Sequence, residues 1–317
     1  MEESHATLFT DSRYTFQARQ EVAGARVHIA KQGLIKAVAE KLRDRRQGGT
    51  RRVGYSAGHL TVTQSIALKA AVGKRARWID DGGAVEKLRA VKDGDELARM
   101  TAAAELISSV FGTVVRLIRP GITELDVAAE IEYAIKHQGG SGTSFETIVA
   151  SGPRSAWAHA RPGRNLLRKS ELVVLDHGAI LRGYCSDLTR TVHLGRASKR
   201  VKGLYGAVLE AQEAGKRAIR PGAKAGDVDK AARDSLRRRG LASYFTHSTG
   251  HGLGLEVHEM PRLGKGVETV LQEGMVLTVE PGVYIEGFGG IRIEDDVVVT
   301  AQGAVDLTNA PREFLEL

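Results

Sequence analysis

Leu172-Val173-Val174-Leu175-Asp176-His177-Gly178 is an apolar, strand-forming run that stops on a carboxylate, and Val276-Leu277-Thr278-Val279-Glu280-Pro281-Gly282 repeats that plan further along the chain. A second strand follows each run and carries another acid, Asp187 in the first case and Glu294 in the second. Upstream, Ile118-Arg119-Pro120-Gly121 returns as Ile219-Arg220-Pro221-Gly222, and Asp126-Val127 as Asp227-Val228, at a constant offset of 101 residues (219 − 118, 227 − 126). Each copy reads as a Pro-Gly turn followed by a helix that ends at Gly139 or Gly240, again 101 apart (240 − 139). Two related halves follow. They predict a pseudo-twofold α/β (α+β) domain whose two carboxylate-bearing hairpins meet at a shared axis.

Outward from that domain, 317 residues exceed what one core organises, so a smaller second domain is expected. Residues 7–16 and 51–55 read as strands, with helices over 35–46 and 60–72, a small α/β unit. Asp93 and Glu96 have capping-box spacing and open a long helix that stops before Pro120. The boundary is placed near Ala90, giving domains 1–90 and 91–317. No apolar run reaches membrane-spanning length, which argues against a membrane protein. The opening Met1-Glu2-Glu3-Ser4-His5 has no basic segment leading into an apolar one, and a single cysteine cannot form an internal disulfide, so a reducing cytoplasm is the expected location. Lone Cys185 lies in an alternating apolar stretch without a neighbouring base and reads as a buried thiol. Lys plus Arg number 46 against 38 Asp plus Glu, a net +8. The excess is scattered, in clusters at 43–46, 51–52 and 237–239 that read as solvated helix ends, and no aromatics interleave with it, which speaks against nucleic acid.

The chemistry lies in the acids. A carboxylate inside an apolar strand costs several kcal/mol unless it is partnered, so Asp176, Asp187, Glu280 and Glu294 together ask for cations. Divalent metal satisfies that demand; two structural ion pairs with Arg190 and Arg292 are the alternative. Three of the ten histidines, His247, His251 and His258, fall in the Gly-rich segment 247–259, read as a strand, where glycines on both sides of His251 leave room for a metal. Gly250, Gly252 and Gly254 imitate a dinucleotide fingerprint, but Leu255 takes a required glycine position and no suitable helix follows. Residues 139–144 imitate a phosphate loop without its lysine and read as a flexible connection. Trp157 beside His159 is read either as an apolar pocket wall or as a core tryptophan.

The segment from Ala90 onward resembles the pita-bread metallopeptidases, the family of aminopeptidase P, prolidase and methionine aminopeptidase. Residues 145–153, 247–259, Thr278-Val279-Glu280-Pro281-Gly282 and Gly289-Gly290-Ile291-Arg292-Ile293-Glu294-Asp295 look like its Xaa-Pro peptidase branch. The resemblance implies a metallo-exopeptidase, an Xaa-Pro aminopeptidase or dipeptidase, with two divalent ions, Mn(II) or Co(II). Asp187 and Glu294 would bridge them, Asp176 would bind one, and His251 with Glu280 the other; a bridging hydroxide would attack the scissile carbonyl. Glu280 would pass the proton to the leaving nitrogen, His258 would hydrogen-bond the developing oxyanion, and His159 and His247 would line the same pocket. Arg262 matches the arginine with which prolidases hold a dipeptide's free carboxylate, a task suited to a guanidinium fork. Residues 8–14 resemble a strand from the middle of the family's amino-terminal domain, so the small domain reads as incomplete; in the family it helps to form a homodimer. A hydrolase of another small amide, or an inactive relative that binds peptide or RNA, is the alternative function.

Overall fold

Two units divide the chain, Met1–Val85 and Glu86–Leu317, and the computed structural model describes residues 5–43 and 51–317. In the first unit β1 (Ala6–Asp11) and β2 (Ala25–Ala30) pair in parallel, as do β3 (Arg51–Tyr55) and β4 (Ala76–Asp80). Helices α1 (Thr15–Glu21), α2 (Leu34–Leu42) and α3 (Val62–Val72) complete it, with Ala39, Leu68 and Val72 at its core beside Trp78. The strand expected over 7–16 stops at Asp11, because the Asp11 carboxylate accepts from the Arg13 amide at 3.0 Å and starts a turn into α1. Strands β2 and β4 escaped the sequence reading: both are short, and their partners are visible only in space. Helix α3 begins two residues later than expected, since Thr61 and Gln64 form a capping box. Arg51 and Arg52 lie within β3 and not at a helix end, whereas Arg237 and Arg238 do close a helix. The expected helix residues 44–46, with the basic cluster there, fall outside the described residues, as do Met1 to Ser4.

Helix α4 (Ala84–Ala90) leads into the second unit, where α5 (Gly94–Val114) carries the Asp93/Glu96 capping box. With its 3-10 extension, Gly94–Leu117, α5 is long and apolar enough to cross a membrane by length and composition, although Glu105 interrupts its apolar run. Half of its apolar window is nevertheless buried in the protein, and Ile107, Val110, Phe111 and Val114 join the core with Ile131 and Ile135 of α6 (Glu124–His137). Helices α7 (Lys199–Ala218) and α8 (Ala225–Arg238) form the equivalent pair in the second half. Both ends of α8 lie 101 residues beyond those of α6 (225 − 124, 238 − 137), so the sequence repeat is a structural one.

Between the helix pairs lie the sheets. The first half contributes β5 (Gly142–Thr143), β6 (Ile148–Ser151), β7 (Leu172–His177), β8 (Ala179–Leu181), β9 (Tyr184–Cys185) and β10 (Leu188–His193). The second contributes β11 (Gly250–Gly252), β12 (Glu259–Leu263), β13 (Val276–Val279), β14 (Gly282–Ile285), β15 (Gly289–Arg292), β16 (Asp295–Thr300) and β17 (Gly303–Asp306). Each half is built on one long antiparallel hairpin interrupted midway: β7–β8 returning as β9–β10, and β13–β14 returning as β15–β16. Asp187, Glu280 and Glu294 sit at the interruptions, and Asp176 lies in β7 one residue from its end. Val279 faces Asp295 and Gly282 faces Arg292, so the register carried across the gap sets Glu280 opposite Glu294. In the first hairpin Asp176 faces Thr189, two residues beyond Asp187, making the two aspartates diagonal neighbours on one face. Cross-links join the halves at this point: the Glu294 amide donates to Thr189 O at 3.1 Å, and the Asp187 amide to Asp296 Oδ2 at 2.9 Å.

Residues 139–144 are no loose connection: Ser141 N donates to Ile180 O at 2.8 Å, β5 pairs with β8, and Ser144 Oγ donates to Ser186 O at 2.9 Å. Cys185 is buried with Met100, Leu253 and Val276, and burial pushes its thiol up to about 11, which makes it a poor nucleophile.

Candidate metal centre

His251 stands on β11 between two glycines for a reason of packing. A Cβ on Gly250 would lie 1.9 Å from Thr278 O, and one on Gly252 would lie 2.1 Å from Met260 O, so only glycine lets β12 and β13 close on this strand. Segment 247–259 is therefore two strands, β11 and the start of β12, joined by a turn, and not the single strand expected. The ring is oriented by its own backbone. Nδ1 lies 2.9 Å from Gly252 O, to which it donates, and that leaves the Nε2 lone pair facing the acids, 3.5 Å from Glu280 Oε1 and 3.8 Å from Asp187 Oδ2. Burial drives the imidazole down to about 4, so it is neutral at neutral pH.

Around that nitrogen the structure gathers Asp187, Glu280 and Glu294, and Asp176 lines the same cavities. One ligand atom each from Asp187, His251 and Glu294 lie within 4.8 Å of one another. Glu280 follows β13, with its amide on Thr249 O at 2.8 Å and its Oε1 3.4 Å from Thr278 Oγ1; Glu294 Oε2 accepts from Thr189 Oγ1 at 2.5 Å. Asp176 Oδ2 accepts from Arg292 Nη2, while Asp176 Oδ1 and Asp187 Oδ1 are buried without a partner among the described residues. Burial first, and then the neighbouring carboxylates, hold the Asp187 and Glu294 carboxyls well above their usual range; burial lifts Glu280 to about 7 against the opposing Arg292 charge. Orphaned buried oxygens, mutually repelling acids and a neutral imidazole with a free lone pair are what divalent ions would resolve. The donor set of four carboxylates and one imidazole suits hard to borderline cations.

The ion-pair alternative holds in part. Arg292 joins Asp176, Thr189 Oγ1 at 3.1 Å and Tyr284 Oη at 2.7 Å, and Tyr284 Oη lies 2.8 Å from His247 Nε2. Arg190 instead pairs with Asp295 at 2.8 Å, in a buried hub with Arg312, Gln212 and Thr308. One arginine therefore cannot neutralise four acids. Sequence reasoning also missed Asp296, fully buried, which holds the Asp187 amide and has an unpartnered Oδ1. Its only signal was a third acid after Glu294 in an apolar strand.

Two cavities open on this cluster. One, of about 580 Å³, takes Asp176, His251 and Glu280 into its lining together with His159, His247, His258 and Arg262; the other, of about 360 Å³, is lined by Asp187 and Glu294 and again by His159 and His258. The His258 ring lies 4.4 Å from that of His251. All nine site residues expected from the sequence thus line one or other of these two cavities. Trp157 does not: it is 60% exposed with the Arg154 guanidinium 4.8 Å above its ring, neither pocket wall nor core residue.

With this geometry, similarity to known proteins becomes informative. Residues 98–301 match metallopeptidase family M24 and residues 1–91 match the creatinase/prolidase N-terminal domain, and the chain belongs to that family. It is 39% identical to an uncharacterised peptidase, YqhT, of Bacillus subtilis strain 168, over 98% of this chain and 87% of that protein. Among solved structures it superposes on an Xaa-Pro dipeptidase from Bacillus anthracis with a TM-score of 0.94 at 38% identity, covering 100% of this chain and 88% of the other. On an X-Pro aminopeptidase from Thermotoga maritima MSB8 the TM-score is 0.90 at 37% identity, covering 100% and 89%.

Proposed function

We propose that this protein is a dinuclear-metal exopeptidase that hydrolyses the bond before proline, in Xaa-Pro dipeptides or at the amino terminus of longer peptides. The observation that carries the reading is the convergence of three buried acids, the half-buried Glu280 and one neutral imidazole at the two cavities. Asp187 and Glu294 are assigned as ligands shared by two ions, Asp176 as a ligand of one, and His251 with Glu280 as ligands of the other. When bound, the ions supply Lewis acidity, lowering the pKa of the attacking water and polarising the scissile carbonyl. Glu280 takes the proton from that water and delivers it to the proline nitrogen as the C–N bond breaks. His258 donates a hydrogen bond to the carbonyl oxygen as it gains charge, while His159 and His247 hold the substrate against the acids. An Xaa-Pro bond is a tertiary amide without N–H, so its recognition falls on the carbonyl, the ring and the peptide ends. Arg262, exposed in the larger cavity, is assigned to the free carboxylate of a dipeptide. Mn(II) or Co(II) as the native ions, a cytoplasmic location and a homodimeric assembly complete the reading.

Protein supplied with Mn(II) is expected to hydrolyse Ala-Pro and to lose that activity on chelation; absence of metal-dependent turnover on any proline peptide would contradict the proposal. Arg262→Ala is expected to raise KM for Ala-Pro by about 10- to 100-fold, the loss of a charge-assisted pair, and to spare Ala-Pro-Ala. Equal losses on both peptides would remove Arg262 from carboxylate recognition.

A further inference from the structure

Glu124, the first residue of α6, is wholly buried yet lines neither cavity. Its Oε1 accepts from the Ser151 amide at 2.9 Å, Ser151 Oγ at 3.1 Å and Arg154 Nε at 3.3 Å. Its Oε2 accepts from Arg154 Nε at 3.2 Å, the Gly163 amide at 3.0 Å and Asn165 Nδ2 at 3.1 Å. The backbone adds two bonds, Glu124 N to Asn165 O at 3.0 Å and Leu125 N to Gly163 O at 3.1 Å. A buried carboxylate is costly unless its lone pairs are filled, and here the donors come from the two ends of a single segment, 151–165. One side chain therefore closes that segment into a loop.

The loop carries His159. Ala158 and His159 line the larger cavity, and His159, Ala160 and Arg161 the smaller, so its apex is the wall between the two. Arg154 Nη2 crosses the loop to Arg161 O at 2.6 Å. A third tether reaches the acids' own scaffold: Ser155 Oγ accepts from the Gly290 amide at 2.8 Å, and a Cβ on Gly290 would lie 2.2 Å from Ser155 O. Gly290 shares β15 with Arg292, the partner of Asp176.

We infer that Glu124 is a positioning residue for the active site: by closing the 151–165 loop it fixes His159 between the two cavities. The inference rests on the role proposed for His159 above. An amide at this position would turn one acceptor into a donor facing other donors, opening one end of the loop.

The test is a double-mutant cycle in the full, metal-loaded chain with Ala-Pro as substrate. Glu124→Gln is expected to lower kcat about 10- to 100-fold, as loss of a supporting hydrogen bond or a displacement near 1 Å does elsewhere. In the His159→Ala background Glu124→Gln should cost less than about 3-fold, because coupled residues are not additive. Equal costs in the two backgrounds would overturn the inference, while failure of the wild type to cleave any proline peptide would overturn the functional reading instead. Histidine-ring NMR of the metal-free protein decides the positioning separately: Glu124→Gln should shift or split the His159 resonance and leave that of His28, in the other unit, unmoved. An unmoved His159 resonance would also refute it. Should Glu124→Gln not fold, Ser151→Ala, which removes one donor, is expected to show the same pattern at smaller amplitude, and additivity there would refute the inference equally.

Discussion

Glu294→Gln is expected to lower kcat for Ala-Pro by about 1000-fold, the equivalent of about 4 kcal/mol of transition-state stabilisation, while making the metal-free protein more stable. The first effect follows from the role proposed for Glu294 as a shared ligand. The second follows from the acid cluster itself, since in the absence of a cation each carboxylate is buried against the others and Glu294 is held well above its usual range. The pH dependence has a definite sign. Asp187, Glu280 and Glu294 have carboxyls raised above their unfolded values, so their contribution to stability is fully present below the ordinary carboxyl range and is lost as pH rises through each raised value, about 7 for Glu280 and well above the ordinary range for Asp187 and Glu294. Metal-free wild type should therefore lose Tm relative to Glu294→Gln as pH rises above the ordinary carboxyl value of 4.5, and saturating Mn(II) should erase the difference. Differential scanning fluorimetry of both proteins across that range is the check. A Glu294→Gln protein less stable than wild type at pH 8 without metal would show that the acids are not in conflict.

His258→Ala is expected to reduce kcat about 100- to 1000-fold, the usual cost of removing one donor to a developing oxyanion, with KM changed only a few-fold. The ring borders both cavities and stands against that of His251. It is not assigned as a ligand, so metal content should stay at the wild-type level, which separates this variant from Glu294→Gln. Steady-state kinetics paired with elemental analysis reads both quantities. A variant that loses metal along with activity would move His258 from the oxyanion to the ligand shell, and one that keeps full kcat would remove it from the chemistry.

Much of this was legible in the chain because charge burial is expensive. Asp176 and Glu280 stand out as acids closing runs of Val and Leu, Asp187 and Glu294 as acids on the strands that follow, and the 101-residue repeat reappears at both ends of α6 and α8. What remained hidden depends on long-range pairing. Arg190 and Arg292 look alike in sequence, yet one serves Asp295 and the other Asp176, a choice made by which strands adjoin. Glu124 looks like any acid in a helix's first turn, and nothing local announces that a distant loop closes on it. The 247–259 segment misled because glycine-rich stretches carry no alternating pattern; its break into β11 and β12 is dictated by the close approach of Met260 and Thr278.

The central claim, two divalent ions held by five side chains, is tested most directly by isothermal titration of metal-stripped protein with Mn(II), with Ala-Pro hydrolysis followed at each addition. The account predicts two ions bound per chain in the wild type and activity that appears as the sites fill, with binding collapsing in Glu294→Gln. Full activity in protein that binds no ion, or two ions bound unchanged in Glu294→Gln, would contradict it.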